Sequence, residues 1–147
     1  MTVIVAQIRS AINIPSSDDL ADTVILDAIE RAHNYISDIA RRTSASPHII
    51  DTVELNYAAY LAYQSYADRV LQQLPGVFDS NGQFNPVAAV LLRSTKDKLD
   101  GLKRISDESI TYMQYNFPKT ESSPVIEMAD AADYPDEYRM TTLRSRW

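Results

Sequence analysis

The stretch LNYAAYLAYQSYADRVL, residues 55–71, decides the fold. Tyr57, Tyr60, Tyr63 and Tyr66 stand at every third position. A helix advances about 100° per residue, so each step of three falls about 60° short of a full turn, and the four rings sweep roughly half the circumference. Leu55, Ala58, Ala59, Leu61, Ala62, Ala67, Val70 and Leu71 fill much of the rest, and few polar positions lie between them. A helix that is apolar nearly all round is buried nearly all round. Two arrangements can achieve this. Either the helix is the centre of its own domain, or one face packs on sibling helices and the opposite face on another subunit. Tyrosine suits the second arrangement, because it joins a large apolar body to a polar tip. The alanines would let a neighbour approach closely. Tyr57, Tyr60, Tyr63 and Tyr66 are therefore candidate subunit-interface residues.

Working outward, residues 2–12 carry Val3, Ile4, Val5, Ile8 and Ile12, a short amphipathic helix stopped by Pro15. PSSDDLAD offers serine and aspartate caps with acids in the first turn. A second helix is expected over about 18–42. Leu20, Val24, Ile25, Ala28, Ile29, Ala32, Tyr35, Ile36 and Ile39 form its stripe at i, i+3, i+4 spacing. TSASP breaks the chain, and Pro47 opens the tyrosine helix, which runs to about residue 74. Asn81-Gly82, between Val77-Phe78 and Phe84, reads as a hairpin-like turn or a structured loop. Asn85-Pro86 opens a fourth helix in the cap-then-first-turn manner. It continues through Ala88, Leu91, Leu92, Thr95, Leu99 and Leu102. Gly101 costs roughly 1 kcal/mol relative to alanine, so that helix is expected to end near Ile105 or to restart around Ser106. The last thirty or so residues show no period, and Pro118, Pro124 and Pro135 punctuate them. The expectation is an all-α protein: a four-helix, bundle-like domain over 1–116 and an extended, non-globular arm over 117–147.

Composition bounds function. The 147 residues hold 45% hydrophobic residues, 3 glycines, no cysteine and a net charge of −6. That is enough chain for one domain with a core, and thiolate and disulfide chemistry are excluded. No apolar run approaches the ~18 residues that span a bilayer, and MTVIVAQIRS does not read as a signal peptide. An acidic chain is a poor candidate for gripping phosphates. His33 and His48 have no motif around them and read as structural. PGVFDSNG lacks the lysine of a phosphate-binding loop. Asp27-x-x-Glu30 and Asp51-x-x-Glu54 could face each other as paired acids do in all-α, Mg²⁺-dependent nucleotide pyrophosphohydrolases. However, Asp27 and Glu30 lie on the polar side of their helix. Arg41-Arg42 before a helix break could suggest a helical DNA-binding or packaging regulator, but cations at a helix C-terminus also serve its dipole. No residue is assigned as catalytic, cofactor-binding or metal-ligating.

The short first helix, DDLADTVILDAIERAHNYISDIARR (18–42), IIDTVELNYAAYLAYQSYADR (49–69), AAVLLRSTKDKLDGLKRIS (88–106) and the non-globular C-terminus together resemble the head–tail connector, or adaptor, proteins of tailed bacteriophages. The resemblance spans about residues 3–105 and is one of architecture and texture rather than of a signature. It implies a structural, non-enzymatic virion protein without cofactor, found in the head–tail neck and, during assembly, in the host cytoplasm. Such proteins form a homo-oligomeric ring, commonly of twelve copies, beneath the portal protein. They extend the channel through which double-stranded DNA passes and dock a tail or neck completion protein, with no membrane or small-molecule substrate involved. A ring repeats one heterologous contact, so each subunit needs two different adhesive faces, and acids along the channel would repel DNA phosphates. In this family the C-terminal segment often becomes ordered against the portal or a neighbouring subunit. Here Tyr134, Tyr138, Arg139, Arg144, Arg146 and Trp147 are the candidate docking residues, aromatic and guanidinium groups of the kind that anchor interfaces.

Overall fold

The computed structural model describes residues 3–73, 76, 78 and 80–120. They form α1 (Val5–Ile12), α2 (Asp22–Ala40), α3 (Pro47–Gln73) and α4 (Pro86–Asn116). The fold is all-α. The only extended pairings among the described residues are isolated bridges, Thr43 with Pro118 and Phe78 with Phe84. No helix among these residues is long and apolar enough to cross a membrane.

α1 starts where the Gln7 side chain accepts the Ile4 N–H at 3.0 Å. It stops at Asn13, which takes the left-handed conformation at φ 57°, a state that asparagine tolerates better than most residues. Val3, Ile8, Ile12 and Ile14 enter the core. The side chain of Arg9 then organises the turn into α2. It donates to the carbonyls of Ile14 at 3.3 Å, Ser16 at 3.0 Å and Leu20 at 2.7 Å, and it pairs with the Asp22 carboxylate.

α2 begins later than the acids and serines suggest. Ala21 is its cap and makes no side-chain cap bond. Ser16 instead accepts the Asp18 N–H within the preceding turn. The turn leaves Leu20 only 3% exposed, and burying that side chain outweighs a serine cap worth about 1 kcal/mol. Beyond this point most of the expected stripe holds: Ile25, Ala28, Ile29, Ala32 and Ile36 are buried and Val24 and Ile39 half-buried, but Tyr35 is 49% exposed, its ring lying against Tyr57.

α3 is the central helix. It packs against α1, α2 and α4, whereas α2 and α4 meet chiefly through it. Its buried residues run from Val53 to Ala67 and include Ala58, Ala59, Leu61 and Ala62 between the tyrosines. One core cluster joins α1, α2 and α3, with Leu99 and Leu102 of α4 packed on it. A second cluster joins Ile36, Val53 and Met113 where α2, α3 and α4 converge.

α4 opens as its sequence predicts. The Asn85 side chain accepts the Ala88 N–H at 3.2 Å, and Pro86 takes the first turn. It does not end or restart near Ile105 but continues unbroken through Gly101 to Asn116. Ser106 and Met113 are fully buried beyond the glycine, and this tertiary packing exceeds the local cost of one glycine. Residues 117–119, expected to begin the arm, pair with the α2–α3 connection. Ser44 N–H donates to the Phe117 carbonyl at 2.8 Å, and Lys119 N–H donates to that of Arg42 at 3.3 Å.

Candidate interaction surfaces

The tyrosine ribbon divides by depth. Tyr63 is 4% exposed, in the main core, whereas Tyr57, Tyr60 and Tyr66 are half-buried and packed against that core. Tyr57 stacks on Tyr35 of α2 at 4.9 Å, and Tyr63 lies 5.5 Å from Tyr66. The half-turn sweep thus lets one helix meet several neighbours within one protomer. What α3 offers a partner is the outer edge of Tyr57, Tyr60 and Tyr66, beside exposed Asp68 and Arg69.

Around Tyr63 the polar tips find partners inside the chain. The Thr95 side chain, itself buried, acts on the Tyr63 hydroxyl. Lys98 places its ammonium 5.0 Å from the Tyr63 ring centroid and donates to the Ile12 carbonyl, tying α4 to the end of α1. Burial lowers the Lys98 pKa. Burial raises the Tyr63 pKa, with Tyr66 adding to the rise and Thr95 opposing it. Burial also raises that of Tyr57, with Tyr35 the next cause.

The acidic constellation does not assemble. Glu54 is buried and bonded to His33 Nδ1 at 3.1 Å, while Asp27 is exposed and pairs with Arg31 at 3.8 Å. No group of three or more histidine, aspartate or glutamate side chains placed to hold a metal occurs among the described residues. His33 has 64% of its side chain exposed, so it is the wet end of a pair whose carboxylate end lies inside. Its position beside the α2 stripe hinted at a structural role, but its partner, 21 residues away, could not be read from the sequence.

Other surfaces were missed by pattern reading. Phe78 and Phe84 stack edge-on at 6.1 Å yet stay mostly exposed. Pro86, Val87, Val90 and Leu91 line a shallow apolar hollow at the start of α4. At the other end of α4, Tyr112 and Tyr115 are exposed, the latter by 81%. The available signal was the presence of Val87, Val90, Tyr112 and Tyr115 off the stripe of Ala88, Leu91, Leu92, Thr95, Leu99 and Leu102; Leu91, read as part of that stripe, is instead 44% exposed and turns to the hollow. Tyr134, Tyr138, Arg139, Arg144, Arg146 and Trp147 lie outside the described residues. Comparison with known protein families, with characterised proteins and with solved structures finds no match for this chain.

Proposed function

We propose that this protein is a structural adaptor of a tailed-phage neck. In this reading it assembles as a ring under the portal, continues the DNA channel and offers a docking surface to a tail or neck component. The observation that carries the reading is large apolar side chains left in water on a helical domain whose core is already formed. Val87, Val90, Phe78 and Tyr115 are each more than 60% exposed, and exposed apolar surface of this kind marks sites of association. The resemblance of residues 3–105 supplies the assembly to which such surfaces belong. The chain's net charge of −6 suits a conduit that does not adhere to DNA.

Co-sedimentation of the full chain with portal rings tests the reading. Comigration supports it, and a chain that stays at the top of the gradient counts against it. A DNA-binding titration at several salt concentrations separates it from a regulator. An adaptor binds duplex DNA weakly at all salt concentrations, whereas tight binding that collapses with added salt would mark a phosphate-gripping protein.

A further inference from the structure

The outer face of α4 reads as one half of a two-fold contact. Its outward positions follow alternating steps of three and four from Val87 to Tyr115, the spacing of a helix–helix seam. Gly101 sits at the midpoint. An added Cβ there would meet nothing within 4 Å, so no packing inside the protomer asks for glycine at a position where it weakens the helix.

The residues on either side of Gly101 complement one another in reverse order. Val87 and Tyr115 stand at equal distances from it, as do Val90 and Tyr112, and all four are more than half exposed. Nearer the centre, Asp97 and Arg104 stand at nearly equal distances on opposite sides, as do Arg93 and Glu108. Each of those pairs joins opposite charges. Within the chain, Arg93 and Asp97 make only an exposed contact at 3.9 Å, of a kind that contributes little.

We propose that a second copy of this chain packs antiparallel along α4, with the two-fold axis passing beside Gly101. Antiparallel pairing sets Asp97 of one copy by Arg104 of the other and Glu108 by Arg93, each twice. It lays Tyr112 and Tyr115 over the Val87–Val90–Leu91 hollow at both ends. The absent side chain at Gly101 lets the two helix backbones approach closely where they cross. The seam spans residues 87–115, about 42 Å of helix. This contact is isologous and so differs from the head-to-tail contact of a ring. It covers Val87, Val90 and Tyr115, so beside the adaptor reading it is the contact of the free chain, which opens before those side chains meet another partner.

The test is sedimentation velocity of the full chain across micromolar to millimolar concentrations. The wild type should dimerise. R104E should weaken dimerisation by roughly tenfold or more, because like charges then face each other twice, and D97R/R104E should recover it. The chain has no cysteine, so cross-linking reports geometry cleanly. On mild oxidation G101C should link to itself, and V87C should link to Y115C but not to itself. Circular dichroism checks that each variant is folded. A chain that stays monomeric at every concentration overturns the proposal. So does a dimer indifferent to R104E, a charge swap that recovers nothing, or self-linking of V87C.

Discussion

Replacing Tyr63 by serine probes the centre of the fold. The ring is 4% exposed, and emptying a buried aromatic site costs about 3–5 kcal/mol. Contained in that figure are the tilted ring contact with Tyr66 at 5.5 Å, worth about 0.5–1.5 kcal/mol, and the Lys98 ammonium at 5.0 Å, worth about 0.5–1 kcal/mol. These parts are not additive, because one ring makes them all. A domain of this size holds about 5–15 kcal/mol in total, so the loss should lower the urea midpoint by a large fraction. Tyr60→Ser removes a half-buried ring and should cost about half as much. Tyr63→Phe removes only the hydroxyl, on which Thr95 acts, and should cost about 1 kcal/mol or less. Urea titration followed by helical circular dichroism on the full chain measures all three. A loss below about 1 kcal/mol for Tyr63→Ser, or a greater loss for Tyr60→Ser, would refute the central placement of α3. Unchanged stability with weakened self-association would assign the ring to a subunit contact instead.

At concentrations where the chain is monomeric, Gly101→Ala should raise stability by about 1 kcal/mol, since the helix gains and nothing inside the protomer obstructs the methyl group; a loss in the same urea assay would show that the site is crowded within one chain. Ser106 carries a fully buried hydroxyl without a hydrogen-bond partner among the described residues, so Ser106→Ala should leave stability unchanged or raise it by up to about 1 kcal/mol. His33→Ala strips the buried Glu54 of its bond and should cost about 1–3 kcal/mol, while adding Glu54→Gln to it should restore part of that in thermal unfolding. The raised Tyr57 and Tyr63 hydroxyls fix the alkaline behaviour. The unfolded chain ionises them near 10.0, the folded chain only at higher pH, so their contribution is complete below pH 10.0 and lost as pH rises through the folded values. Lys98 acts in the opposite sense, because its lowered pKa makes the fold gain as pH climbs towards 10.5. Net unfolding free energy should fall as pH rises above 10.0, and less so in Y57F/Y63F.

Much of this architecture was legible because burial imposes a period. The α2 stripe, apart from exposed Tyr35, and the Asn85-Pro86 opening of α4 follow from local chemistry, and the structure places them as read. The start of α2 was not legible, because Arg9 gathers the carbonyls of Ile14, Ser16 and Leu20 from another helix. A local cap signal cannot compete with contacts that exist only after folding. The continuation of α4 past Gly101 was hidden for the same reason, since Met113 is buried against Ile36 and Val53. The tyrosine spacing did signal burial on several sides. It could not say whether those sides belong to one chain or two. Within the protomer Tyr63 goes to the core, while Tyr57, Tyr60 and Tyr66 keep an outer edge. The exposed Val87, Val90, Tyr112 and Tyr115 were obscured by the stronger stripe on the inner face of the same helix.

Electron microscopy of the full chain mixed with portal rings of a tailed phage tests the proposed adaptor role most directly. A closed collar of copies coaxial with the portal channel is the predicted image. Bare portal rings beside free chains, at concentrations where the protein is folded, would contradict it.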